Sequence, residues 1–165
     1  NPDIFLYDLT RNSWRQITEH FGIDTEPDWS PNGKSLLFTS NRSGSPQIYQ
    51  VNIRTKRVKR LTFEGTYNAR ARYSPDGKSI VFVHRRDGVF HIATQKIKSG
   101  KVRILTDTSL DESPTISPNG NVIIYATKKL DEDILAGITI DGKTKFILPS
   151  LQGETREPAW SPILD

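Results

Sequence analysis

The stretch Glu26-Pro27-Asp28-Trp29-Ser30-Pro31-Asn32-Gly33-Lys34-Ser35-Leu36-Leu37-Phe38-Thr39-Ser40 decides the fold. Its centre, Ser30-Pro31-Asn32-Gly33, has the chemistry of a hairpin turn. Pro presets φ at about −65° in the second position, Asn tolerates the third, and Gly takes the position that needs positive φ. The run Leu36-Leu37-Phe38 behind it is apolar on successive residues, which marks a strand buried on both faces.

The unit recurs. Ser74-Pro75-Asp76-Gly77 and Ser117-Pro118-Asn119-Gly120 repeat the turn, Ser161-Pro162 begins another, and the four prolines step by 44, 43 and 44 residues. A short strand with Trp29, Tyr73, Ile116 or Trp160 precedes each turn, and the apolar runs Ile80 to Val83 and Val122 to Tyr125 follow the later ones. Third strands are expected from Ile48 to Ile53, His91 to Ile97 and Ile134 to Ile140, and charged fourth strands over Val58 to Thr62, Val102 to Thr106 and Lys143 to Leu148. Four short strands per repeat of about 40–45 residues is the signature of a β-propeller. The chain is therefore expected to be all-β, with about three and a half four-stranded blades.

The expected divisions are 1–18 for the outer two strands of an incomplete blade, then blades at 27–62, 71–106 and 114–148, and 157–165 as the first strand of a closing blade. All belong to one propeller domain. Most propellers close with roughly six to eight blades, so these repeats predict an open arc. Either residues preceding Asn1 complete it or two copies of the chain pack together. The start, Asn1-Pro2-Asp3 leading straight into Ile4-Phe5-Leu6-Tyr7 with no leader pattern, is what a segment of a longer protein would show.

Composition narrows the function classes. The 165 residues are 35% hydrophobic and 25% charged, carry a net charge of +4, and contain no apolar run of the roughly 18 residues that a spanning helix needs. With no Cys there is no disulfide framework and no thiolate site. The basic cluster Arg54, Lys56, Arg57, Lys59 and Arg60 flanks an outer strand, where charge blocks edge-to-edge association; a patch for an acidic partner is the other reading. His20, His84 and His91 lack the i, i+4 spacing of a helical metal site, and no Gly-x-Ser-x-Gly elbow or phosphate-binding loop is present. Asp131-Glu132-Asp133 lacks the spaced ligands of a calcium loop and is expected to be a solvated turn.

In a propeller the segments leading into each innermost strand gather at one mouth of the channel. Aligned by the repeat, these are Asp24-Thr25-Glu26, Asn68-Ala69-Arg70, Asp111-Glu112-Ser113 and Thr155-Arg156-Glu157. Their mixture of carboxylate, amide, hydroxyl and guanidinium groups suits an extended peptide, whose main chain needs both donors and acceptors. As isolated loop residues they read equally well as solvated polar positions.

Residues Glu26 to Ser40 with Gln47-Ile48-Tyr49, Leu110 to Pro114, and the ending Glu157-Pro158-Ala159-Trp160-Ser161-Pro162 resemble the TolB-type propeller family over essentially the whole chain. The resemblance implies a six-bladed propeller behind an N-terminal α/β domain, in the periplasm of a Gram-negative bacterium. It implies a noncatalytic protein of the Tol-Pal cell-envelope system that supports outer-membrane integrity and cell division. The channel would receive an extended segment of the lipoprotein Pal, colicin translocation peptides would compete for it, and TolA would be met only through the absent N-terminal domain. Thr25 and Glu26 then fall on family contact positions, and Asn68, Ala69, Arg70, Asp111, Glu112, Ser113, Arg156 and Glu157 are their rim neighbours by repeat. Family members can hold Ca²⁺ in the channel, for which Glu26, Asp111 and Glu112 are the candidate ligands, although no cofactor is required. Arg70 and Arg72 depart from the more neutral residues of that repeat, which implies a shifted peptide preference. The alternative is the propeller of a prolyl-oligopeptidase-like or tricorn-like protease, which gates access to a hydrolase domain.

Overall fold

The computed structural model describes residues 1–108, 110–130, 132–149 and 155–161. The strands are β1 (Phe5–Asp8), β2 (Ser13–Gln16), β3 (Asp24–Trp29), β4 (Ser35–Ser40), β5 (Gln47–Asn52), β6 (Val58–Arg60) and β7 (Tyr67–Tyr73). They continue as β8 (Ser79–Arg86), β9 (Val89–Lys96), β10 (Val102–Ile104), β11 (Glu112–Ile116), β12 (Val122–Lys129), β13 (Glu132–Thr139) and β14 (Lys145–Ile147). They form the antiparallel meanders β3-β4-β5-β6, β7-β8-β9-β10 and β11-β12-β13-β14, preceded by the hairpin β1-β2. The first strands of successive sheets lie against each other, β3 beside β7 and β7 beside β11, and this row defines the channel wall. Each meander is a propeller blade.

The Ser-Pro-Asx-Gly turns are built alike. Gly33, Gly77 and Gly120 have φ of 66°, 67° and 75° and donate their N–H to the carbonyls of Ser30, Ser74 and Ser117 at 2.8 Å. Each Ser hydroxyl donates to the Asx side chain, at 2.9, 2.6 and 2.7 Å, and accepts an N–H from the first residue of the returning strand or its equivalent, Ser35, Ser79 or Val122. The turn is thus specified by side chains as well as by backbone preference.

The second strands bury both faces. Leu36 and Phe38 pack toward the β1-β2 hairpin with Ile4 and Ile17, whereas Leu37 packs toward the next blade with Ala71, Tyr73, Ile80 and Phe82. Val81 and Val83 on β8 then meet Ile123, Tyr125 and Ile138 of the third blade. The core is therefore a series of inter-blade layers, each strand contributing alternate residues to two of them. Phe5, Tyr7 and Trp14 on the far side of the first hairpin are exposed.

The outer strands are shorter than the sequence pattern predicts, ending at Arg60, Ile104 and Ile147. Leu61 and Leu105 still donate to the carbonyls of Ile48 and Ile92 at 2.8 Å. The return bond, however, goes to a side chain: Ile4, Ile48 and Ile92 donate their N–H to the hydroxyls of Thr18, Thr62 and Thr106, each at 2.9 Å. The Thr hydroxyl stops the ladder while leaving no buried N–H unpaired. The inner strands begin earlier than expected, at Asp24, Tyr67 and Glu112 rather than at 27, 71 and 114, so the rim residues lie largely within strands and not in loops. Residues 157–161 form no strand: a strand exists only by ladder pairing, and none of the described strands pairs with them. Residues 162–165 of that expected element lie outside the described residues.

Thr62→Val keeps the shape of this side chain but leaves the buried Ile48 N–H without its partner and removes one of the two donors to Gln47 Oε1. It is expected to lower the unfolding free energy by about 1–3 kcal/mol in urea denaturation of the full-length protein, with Thr62→Ser costing less.

Candidate binding site at the channel mouth

The site begins with a main-chain contact between blades. The N–H groups of Asp24, Asn68 and Asp111 donate to the carbonyls of Pro2, Pro46 and Phe90 in the preceding blade, at 2.9, 2.9 and 3.2 Å. The three side chains are buried at these junctions and are held differently, and the Oδ1 of Asp24 has no hydrogen-bond partner among the described residues. Asp24 accepts from Arg42 at 2.6 Å, and that guanidinium lies over the rings of Phe38 and Tyr49 at 5.0 Å from each. Asn68 pairs with His84 Nδ1 at 2.8 Å and donates to Gln47 Oε1 and the Glu64 carbonyl, both at 2.8 Å. Asp111 accepts from the hydroxyls of Thr106, Thr108 and Thr127, the last at 2.7 Å. Burial and then the Asp111 charge push the nearby Tyr125 phenol up to about 12.

Two residues further on, each inner strand breaks register. The β3-β4, β7-β8 and β11-β12 ladders shift between Thr25 and Asp28, Ala69 and Arg72, and Glu112 and Thr115. At these bulges Glu26, Arg70 and Ser113 have φ of 57°, 56° and 52°, and the repeat-equivalent Glu157 has 52°. A left-handed conformation costs a non-glycine residue about 1–2 kcal/mol. The same strained bulge thus recurs at one position of every repeat and re-aims a polar side chain there.

These four residues converge on Arg70. Its Nε lies 3.3 Å from Glu26 Oε1, and its Nη1 donates to Ser113 Oγ at 2.5 Å and to Glu157 Oε1. The Arg70 main-chain N–H donates to Glu26 Oε2 at 3.0 Å, the Thr39 hydroxyl donates to the same oxygen at 2.6 Å, and the Ser113 hydroxyl donates to Glu157 Oε1 at 3.0 Å. The hydrogen bond from Arg70, with that from Ser113 and the charges of Arg70 and Arg72, holds the Glu157 carboxyl below the usual carboxylate range. Beside Arg70 and Glu112 a cavity of about 150 Å³ is lined by Tyr67, Phe90 and Leu110, with the Tyr67 and Phe90 rings edge to face at 5.4 Å. The mouth therefore combines fixed donors and acceptors with an apolar recess.

Of the residues expected at the rim, the structure brings together Glu26, Arg70, Ser113 and Glu157. Thr25 and Glu112 are half-buried beside them, whereas Asn68, Ala69 and Asp111 are buried. Glu26 and Asp111 spend their carboxylates on internal donors, and among the described residues no three His, Cys, Asp or Glu side chains could hold a metal ion. Arg156 turns to Asp133, with its Nε 2.8 Å from Asp133 Oδ2. That contact corrects the reading of the acidic triplet as a solvated turn: Glu132 and Asp133 open β13, and the Asp133 side chain is only 11% exposed because Arg156 and Lys128 neutralise it. Asp131 lies outside the described residues.

Sequence spacing did not reveal the cross-strand pair His84 and His91, which face each other on β8 and β9. A period-2 comparison across a hairpin would have found it. Burial first, then the neighbouring His91, pushes His84 below its ordinary 6.5; Arg86 acts in the same direction and Glu64 against it. The unfolded chain therefore takes up a proton at higher pH than the folded chain, so this contribution is complete above pH 6.5 and is lost as pH falls through the folded value. Between about pH 7.5 and about pH 5 the thermal unfolding midpoint of His84→Gln is expected to fall less than that of the wild type.

The fold and its mouth define the class: a β-propeller whose repeat-equivalent inner positions meet at a shared channel entrance. A family model described as the TolB beta propeller domain matches residues 1–164, and the chain belongs to this family. It is 46% identical over 152 residues to the Tol-Pal system protein TolB of Bordetella pertussis, covering 92% of this chain and 35% of that protein. It superimposes on the crystal structure of TolB from Acinetobacter baumannii with a TM-score of 0.91 at 49% identity, covering 98% of this chain and 41% of that one. The chain thus spans between about a third and two-fifths of these relatives. A prolyl endopeptidase with a TM-score of 0.67 is only 9% identical and shares the fold alone.

Proposed function

We propose that this chain is the peptide-binding part of a noncatalytic propeller of the Tol-Pal system, acting in the periplasm of a Gram-negative bacterium. An extended segment of Pal is its partner, with colicin translocation peptides as competitors, and the complex supports outer-membrane integrity and cell division. The observation that carries this reading is the convergence of Glu26, Arg70, Ser113 and Glu157 from successive repeats at one mouth. The names of the relatives, which are Tol-Pal system proteins, support the assignment to that system.

The chemistry suits binding rather than bond making. Each polar group at the mouth is held by its neighbours and offers hydrogen bonds to a partner that carries its own unpaired N–H and C=O groups. The His84 imidazole, the one histidine against a rim residue, is committed to Asn68 and is not paired with a hydroxyl nucleophile. The recess beside Tyr67 and Phe90 is large enough for one apolar side chain of the bound segment.

Fluorescence anisotropy with labelled peptides tiling Pal tests the reading on the full-length protein. Glu26→Ala is expected to weaken the best peptide by about 1.5–3 kcal/mol, because it removes the charge-assisted partner that orients the Arg70 guanidinium toward the bound segment. Glu26→Gln should recover part of that loss, with the unfolding midpoint of each variant measured in parallel. An affinity unchanged in Glu26→Ala removes this residue from the site, and failure of every peptide to bind the wild type rejects Pal as the partner.

A further inference from the structure

Resting on the peptide-binding reading, we infer that Glu157 is a resident stand-in for a ligand carboxylate, and that Arg70 selects peptides whose Asp, Glu or terminal carboxylate replaces it. Two carboxylates share the Arg70 guanidinium, but they are attached in different ways. Glu26 is built in: its Oε2 takes the Thr39 hydroxyl and the Arg70 main-chain N–H, its Oε1 faces Arg70 Nε, and its side chain is 29% exposed. Glu157 touches the mouth through a single oxygen, which receives Arg70 Nη1 and the Ser113 hydroxyl, and its side chain is 66% exposed.

The part that remains when Glu157 moves away is a receptor for one carboxylate. A guanidinium N–H and a hydroxyl O–H converge on the position of one carboxylate oxygen. Both donors sit on strained bulges of adjacent inner strands, β7 and β11, and Glu26 keeps the guanidinium oriented from its other edge. Preorganised donors of this kind favour an anion without a cost of assembly at the moment of binding. An ion pair as open to solvent as that of Glu157 contributes little to folding, so its exchange for a ligand carboxylate is nearly neutral before the rest of the peptide makes its contacts. A neutral peptide has the opposite balance, because it must either leave Glu157 in place or leave the Arg70 and Ser113 donors unpaired. The subsite therefore discriminates by charge at one peptide position.

Calorimetry on the full-length protein, with each Pal-derived peptide made both as the acid and with Asp→Asn or Glu→Gln, reads the selection directly. In the wild type, one acid-to-amide change is expected to weaken binding roughly tenfold or more, the effect of removing one charge-assisted pair. In Arg70→Gln the acid and amide peptides should bind alike, with Arg70→Lys intermediate, because Lys keeps the charge but not the fork. Glu157→Gln should bind the acid peptide severalfold more tightly than the wild type, since the resident competitor has lost its charge, at an unchanged unfolding midpoint. Peptides that bind while the acid-to-amide ratio stays the same in the wild type and Arg70→Gln overturn the inference and leave the peptide-binding reading intact.

A second arm is independent of Pal. N-acetylaspartate methylamide is titrated onto Glu157→Gln while the Arg70 guanidinium N–H resonance is followed by NMR. A saturable shift, absent when the uncharged asparagine analogue is used, supports the carboxylate receptor. No shift overturns it, whether or not any Pal peptide binds.

Discussion

The site depends on one backbone constraint, the hydrogen bond that ties the entry of each inner strand to the blade before it. Asp24, Asn68 and Asp111 all make this bond, and the residue two positions later, Glu26, Arg70 or Ser113, is the one carried to the channel by a left-handed bulge. The bond uses main-chain atoms only, so it survives a change of side chain. The buried side chain at that position then has to be satisfied locally, and the three blades do so with an arginine, with an amide and imidazole network, and with three threonine hydroxyls. An unpaired buried polar group costs roughly 1–3 kcal/mol on the scale of protein mutations, and the junctions differ in this too: one oxygen of Asp24, Oδ1, has no partner among the described residues.

The blade architecture was legible in the sequence because it rests on local chemistry repeated at a fixed interval. Ser-Pro-Asx-Gly encodes a turn through the Pro ring, the Asx side chain and a Gly at positive φ, and consecutive apolar residues encode a strand covered on both sides. The convergence of the rim was legible only as an alignment of positions. Nothing in Glu26, Arg70, Ser113 or Glu157 announces a left-handed backbone, since all are residues for which that conformation is costly. At Glu26, Arg70 and Ser113 the surrounding ladders impose it, and ladder register is a property of paired strands rather than of one segment. The same limit explains Asp133. A run of three acids reads as solvated until Arg156, 23 residues away, is folded against it.

Asn68 and Asp111 show a further separation that one-dimensional alignment blurs. Each stands two positions from a channel residue, and sequence spacing grouped each with it as a single rim unit. In a strand, however, neighbouring residues face opposite ways, and the bulge adds one more reversal. The first residue of each triplet therefore serves the joint between blades, while the third serves the channel. Polarity alone cannot distinguish the two, because a buried junction and an exposed mouth both call for hydrogen-bonding side chains.

This division of labour separates stability from recognition. The groups that hold the blades together are buried and fully engaged: Thr62 with Ile48 and Gln47, Asp111 with its three hydroxyls, Leu37 with the next blade. Glu26, Arg70 and Glu157 at the axis are more open, and the ion pairs they make with one another are of the kind that contributes little to folding. Substitution at an axis position therefore comes at small cost to the fold, provided the new residue accepts the left-handed backbone that the junction imposes. A protein that is 49% identical and still superimposes at a TM-score of 0.91 shows how far the sequence can vary around an unchanged scaffold. Arg70 is where the repeats meet: one guanidinium there joins residues from three successive repeats and the closing segment, so its contacts belong to the whole entrance rather than to a single blade.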